Sequence, residues 1–149
     1  MARLKQSLRT WQALSWSQRR LFIQAWLLLP LTAAGLRLFG FRRVQAVLQR
    51  PASTVGREDL PAAQAIARIV RGASGWTPGH ASCLTQSLVL SRLLHRQGLA
   101  ADLHIGVGKP EGRFAAHAWI EHQGVALAEA QTIHERYAAF DEAQLMRGA

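Results

Sequence analysis

Residues 21 to 36, LFIQAWLLLPLTAAGL, are apolar enough to raise the question of whether this part of the chain folds in water or in lipid. A bilayer span needs about 20 predominantly apolar residues. This run has sixteen, is interrupted by Gln24 and Pro30, and is closed by Arg37. As the h-region of a signal peptide it would follow an unusually long n-region and lacks a clean A-x-A cleavage site. The pattern instead predicts one or two apolar-faced helices. Ser15 and Gln18 have capping-box spacing, Pro30 breaks or kinks the run, and Phe39, Val44, Val47 and Leu48 continue an apolar face beyond Gly40. Such helices either pack on a core or present a docking surface to a membrane or a partner protein.

Charge separates this region from the rest. The chain of 149 residues is 49% hydrophobic and 18% charged, enough for one globular core. Its net charge of +9 is uneven: residues 1 to 57 carry ten Lys or Arg and no Asp or Glu, whereas residues 58 to 149 carry eight against nine. Uncompensated cations favour an acidic partner, whether anionic lipid, nucleic acid or acidic peptide. Peripheral membrane contact through residues 1–57 is the expectation we adopt, with no nucleic-acid partner. Residues 50 to 57, RPASTVGR, have linker composition, so we expect N-terminal helices and linker over 1–57 and a globular domain over 58–149. The single cysteine excludes an intramolecular disulfide, and a reducing cytoplasm is the simpler setting.

Asp59 followed by Pro61 reads as a helix start, with Ile66, Ile69 and Val70 on one face and the Gly72, Gly75, Pro78 and Gly79 cluster ending it. From Cys83 to Gln97 apolar residues recur at helical spacing, with His95 and Arg96 in the last turn before Gly98. Ala101 to Val107 alternates as a strand with one buried face; Phe114 to Glu121 and Val125 to Glu129 supply two more strands. The class is α+β, with the Cys83 helix packed across a small antiparallel sheet.

Ser82 as N-cap places Cys83 in the first helical turn, where unpaired N–H groups and the positive end of the helix dipole favour a thiolate. A backbone N–H there can also hold a developing oxyanion. A lone cysteine is more often buried packing than chemistry. His117 lies on the strand predicted to face that helix end and shares its strand face with Trp119 and Glu121. If His122, Gln123 and Gly124 form a three-residue loop, Glu121 faces Val125 and His117 faces Glu129, whose carboxylate would orient the imidazole. A two-residue loop would instead bring Ala118 opposite Glu129. Glu121, on the same face as His117, ranks second for that role.

The segments CLTQSLVLSRLLHRQG, LHIGVG and RFAAHAWIEHQG, with a carboxylate twelve residues after the histidine, resemble the transglutaminase-like leader peptidases of lasso peptide biosynthesis. The resemblance covers about residues 58 to 141, and the N-terminal helices look like those of the stand-alone peptidases of that family. It implies a transglutaminase-like or papain-like core and removal of a leader peptide from a ribosomally made precursor before a separate cyclase closes the macrolactam. Residue by residue it implies Cys83 as nucleophile, His117 as general base and Glu129 at the position usually held by Asp. It also implies a separate leader-recognition protein and the lasso cyclase as partners, and no cofactor. Rival readings are a non-catalytic docking module on the same fold, acyl transfer to an amine, and a metal site. For the last, Cys83 and His80 are three apart, but the chain offers no second paired motif.

Overall fold

The computed structural model describes residues 15–48, 56–77, 79, 81–127 and 133–140. Helix α1 (Trp16–Phe39) opens with the expected capping box: the Ser15 hydroxyl accepts from the Gln18 N–H at 3.3 Å, and the Gln18 side chain accepts from the Ser15 N–H at 2.9 Å. Pro30 does not end the helix. It sits on the exposed side of the helix, and its missing N–H costs the helix one backbone hydrogen bond without breaking it. Gly40 closes α1, and α2 (Phe41–Leu48) follows at once.

Asp59 caps α3 (Leu60–Ser74) through its carboxylate, which accepts from the Ala62 N–H at 3.1 Å, with Pro61 in the first turn. α4 (Cys83–Arg96) begins after the Ser82 cap. Ala25 and Leu29 of α1, Ala63, Ile66, Ala67 and Val70 of α3, and Val89, Leu93 and Leu94 of α4 share one core cluster. Leu88, Leu93 and Leu94 are wholly sequestered, so truncating any one to Ala costs about 2–5 kcal/mol.

The sheet runs β3-β2-β1-β4 and is antiparallel throughout. β1 (Asp102–Gly108) pairs along its whole length with β2 (Ala115–His122), so that His104 faces Trp119 and Gly106 faces His117. β3 (Val125–Ala126) is shorter than the expected strand to Glu129, although Leu127 still donates to the Ile120 carbonyl at 2.8 Å. A short helix α5 (Ile133–Arg136) and strand β4 (Ala138–Phe140), neither anticipated from the sequence, return the chain to the free edge of β1. Gly106 makes that return possible: a Cβ there would meet the Ala138 carbonyl oxygen at 2.7 Å and the Trp119 ring at 3.1 Å.

The turn between β2 and β3 corrects the expected loop. His122 pairs with Val125 and Glu121 with Ala126, so the loop is the two residues Gln123 and Gly124 and not three. Both have positive φ, 55° and 72°, the signature of the tight hairpin turn whose twist matches the strands it joins. His122 is unavailable to a loop because it is wholly buried. Its Nδ1 lies 2.7 Å from the Ala100 carbonyl and its Nε2 accepts from the Asp59 N–H at 3.1 Å. That pattern fixes a neutral imidazole protonated on Nδ1 and ties β2 to the cap of α3.

Candidate active site

Two elements present the site. Cys83 is the first residue of α4 and is half-buried. The Ser82 hydroxyl accepts from the Thr85 N–H at 3.2 Å and lies 2.9 Å from the Thr85 hydroxyl, so the cap is satisfied at the third helical residue. The N–H groups of the first turn have no intrahelical acceptor, and the helix dipole adds partial positive charge where the thiol sits. Gln86, one turn on, braces the approach by donating to the Ala81 carbonyl at 2.8 Å.

Ser87, four residues after Cys83 and thus on the same helix face, donates its hydroxyl to the Ala118 carbonyl at 3.0 Å. This buried bond joins the cysteine's helix to the histidine's strand one turn from the thiol. Cys83 and His117 both line one cavity of roughly 370 Å³, whose wall also includes Arg71 and Ser74 of α3 and Gln86 and Ser87 of α4.

His117 is held by ring contacts. It stacks on Trp119 with centroids 6.3 Å apart and planes 17° from parallel, and Tyr137 tilts against it at 5.2 Å and 30°. Trp119 is itself fixed: its indole N–H donates to Glu121 Oε1 at 2.7 Å, and His104 stacks on it at 5.6 Å. The second Glu121 oxygen lies 3.4 Å from His104 Nε2. Glu121 therefore engages Trp119 and His104, and it reaches His117 through the Trp119 ring. Four positions separate Glu121 from His117, roughly 13 Å of strand.

Glu129 lies outside the described residues, and the two-residue hairpin removes the register argument that set it opposite His117. His80 also lies outside them. Among the described residues no three His, Cys, Asp or Glu side chains converge as metal ligands.

The sequence pattern placed Cys83 at a helix start and His117, Trp119 and Glu121 on one strand face, and the structure has both, because capping and strand alternation are local. The pattern missed Tyr137 and the role of His104. Tyr137 reaches His117 only because β4 pairs with β1, a contact for which no nearby residue pattern exists; His104 is opposite Trp119 only through the β1–β2 register.

No curated protein and no solved structure matches the chain. A family model described as transglutaminase-like superfamily matches residues 25–141, which takes in the second half of α1 together with α3, α4 and the sheet. That superfamily includes cysteine peptidases and acyltransferases. With a half-buried cysteine heading the helix, a histidine on the adjoining strand and a family match over most of its length, the chain belongs to the transglutaminase-like superfamily.

Proposed function

We propose that this protein is a cysteine peptidase that removes the leader from a ribosomally synthesised lasso precursor peptide. The observation that supports it most is the joining of the Cys83 helix to the His117 strand through Ser87, with both residues on one cavity wall. The segments CLTQSLVLSRLLHRQG and RFAAHAWIEHQG, which resemble the lasso leader peptidases, favour this substrate over other peptides.

His117 takes the Cys83 thiol proton, and the thiolate sulfur attacks the scissile carbonyl carbon. N–H groups of the first turn of α4 stabilise the oxyanion. The C–N bond breaks as His117 returns the proton to the leaving amine, leaving a thioester on Cys83. Water, deprotonated by His117, attacks that thioester and frees the leader carboxylate and the thiol. The resemblance to the lasso leader peptidases, and not the hairpin register, gives Glu129 the orienting role in this scheme, with a separate recognition protein delivering the leader and the lasso cyclase receiving the core peptide.

The test is incubation with candidate precursors, with and without a recognition protein, and weighing of the products. Cleavage at one bond, absent in Cys83→Ala and His117→Ala with the fold retained, is the expected result; near-wild-type cleavage by either variant overturns the mechanism. Acyl transfer is the second reading, because the superfamily includes acyltransferases. An added primary amine separates the two: a product heavier by the amine less water marks transfer.

A further inference from the structure

We propose that the outer face of α1 and α2 docks on an anionic phospholipid bilayer, lying in its interface without crossing it. Eight of the ten large hydrophobic side chains exposed among the described residues belong to these two helices. On α1, Trp16, Ile23, Leu27, Leu31 and Leu38 follow one another at intervals of seven and four, which is a single stripe along a helix about 36 Å long. Leu31 and Leu38 are 67% and 75% exposed.

The opposite stripe settles the orientation. Ala25, Leu29 and Thr32 are buried, the first two within the core that α3 and α4 complete. Although α1 is long and apolar enough to cross a membrane, a crossing would strip those residues from the core. A helix apolar on both faces with one face already packed needs a cover for the other.

Charge names the cover. Arg20, Arg37, Arg42 and Arg43 are exposed on the same two helices, and no carboxylate occurs before Glu58. Juxtaposed arginine and bulky apolar or Trp side chains suit a headgroup boundary, where the cations meet lipid phosphates and the apolar stripe enters the acyl region. A protein-facing surface of this size would carry several polar groups to fix its register; between Ile23 and Leu38 this stripe carries only one uncharged polar side chain, the half-buried Gln24, beside its arginines. Between the helices, a groove of roughly 400 Å³ lined by Leu28, Leu31, Gly35, Val44 and Val47 includes exposed Arg43 on its wall, the arrangement an acyl chain and its phosphate require.

The experiment is flotation of the full chain with vesicles of phosphatidylglycerol and phosphatidylcholine, against phosphatidylcholine alone. Binding to the anionic vesicles is expected. It falls at least tenfold in Leu27→Glu/Leu31→Glu, and roughly fivefold per charge in Arg42→Gln and Arg43→Gln. It also weakens when salt rises from about 0.1 M to about 1 M, as the Debye length shrinks from about 10 Å to about 3 Å. Both leucines are exposed, so circular dichroism and melting of the variant should match the parent; should the variant unfold, protection of α1 amides from hydrogen exchange on adding vesicles reads the same contact. Equal recovery with and without anionic lipid, binding unchanged by the leucine variant, or a stable dimer that covers the stripe overturns the proposal. A Cys83→Ala chain serves equally, so this result is independent of whether the protein is a peptidase.

Discussion

The two faces of β2 use the same residue types to different ends. On one face, Ala118 and Ile120 are buried and His122 is sealed among backbone partners, so its imidazole acts as a fixed brace between strand and helix cap. On the other, His117 is half-buried, touches rings, and opens on the cavity that holds Cys83. Two histidines five residues apart thus differ in what surrounds them and not in what they are. Burial with both nitrogens committed makes a brace, whereas a ring supported from the side with access to a cleft is placed for the proton transfer we propose.

Substitutions can break or sharpen that contrast. His117→Ala should lower precursor cleavage by about 10²–10⁴, the range of a general base, while the lost stacking costs about 1 kcal/mol of stability. His122→Ala should do the reverse, costing about 3 kcal/mol by orphaning the Asp59 N–H and Ala100 carbonyl in a new cavity. Cleavage per folded molecule should be unchanged, and urea melts beside progress curves separate the two outcomes. An inactive His122→Ala with normal stability would erase the distinction between the faces.

Glu121 tests how far the support of His117 extends. Glu121→Leu leaves the Trp119 indole N–H without its acceptor and should cost about 2 kcal/mol, whereas Glu121→Gln keeps an acceptor and should cost about half as much. At the hairpin, Gly124→Ala forces a Cβ into the left-handed region and should cost about 1 kcal/mol; Gln123→Gly should cost less than about 0.5 kcal/mol or stabilise slightly. A three-residue loop would leave Gln123 indifferent to this change.

The smallest effect is in pH. Burial lowers His95 below its ordinary value of 6.5, outweighing the Ala101 backbone bond and Asp102, which raise it. Its Nδ1 is buried with no hydrogen-bond partner. Below pH ~6.5 the unfolded chain therefore binds a proton that the folded one resists, so this contribution is present at neutral pH and fades as pH falls through the folded value. Urea midpoints measured between about pH 7.5 and about pH 5 should decline less in His95→Leu than in the parent.

What the sequence made legible was local. The Ser15 and Ser82 caps, the Asp59–Pro61 helix start and the strand alternation of His117, Trp119 and Glu121 each depend on residues within a few positions, and the structure has them. The hairpin register is not legible because Gly124 alone looks like the left-handed residue; Gln123 adopts that backbone too, in a turn that keeps His122 in the strand, where it is buried. Long-range pairing was hidden. β4 has no periodicity of its own, and Tyr137 gains its place beside His117 from a strand that pairs more than thirty residues away.

Gly106 has a last consequence, for how the chain tolerates change. The sheet behind His117 is one backbone thick at this point, with the Ala138 carbonyl and the Trp119 ring closing from outside. Sequence drift here is therefore limited first by volume, before polarity or charge is considered: even one methyl group drives β4 and Trp119 apart. Alanine, the mildest replacement at most positions, becomes at this buried one a wedge.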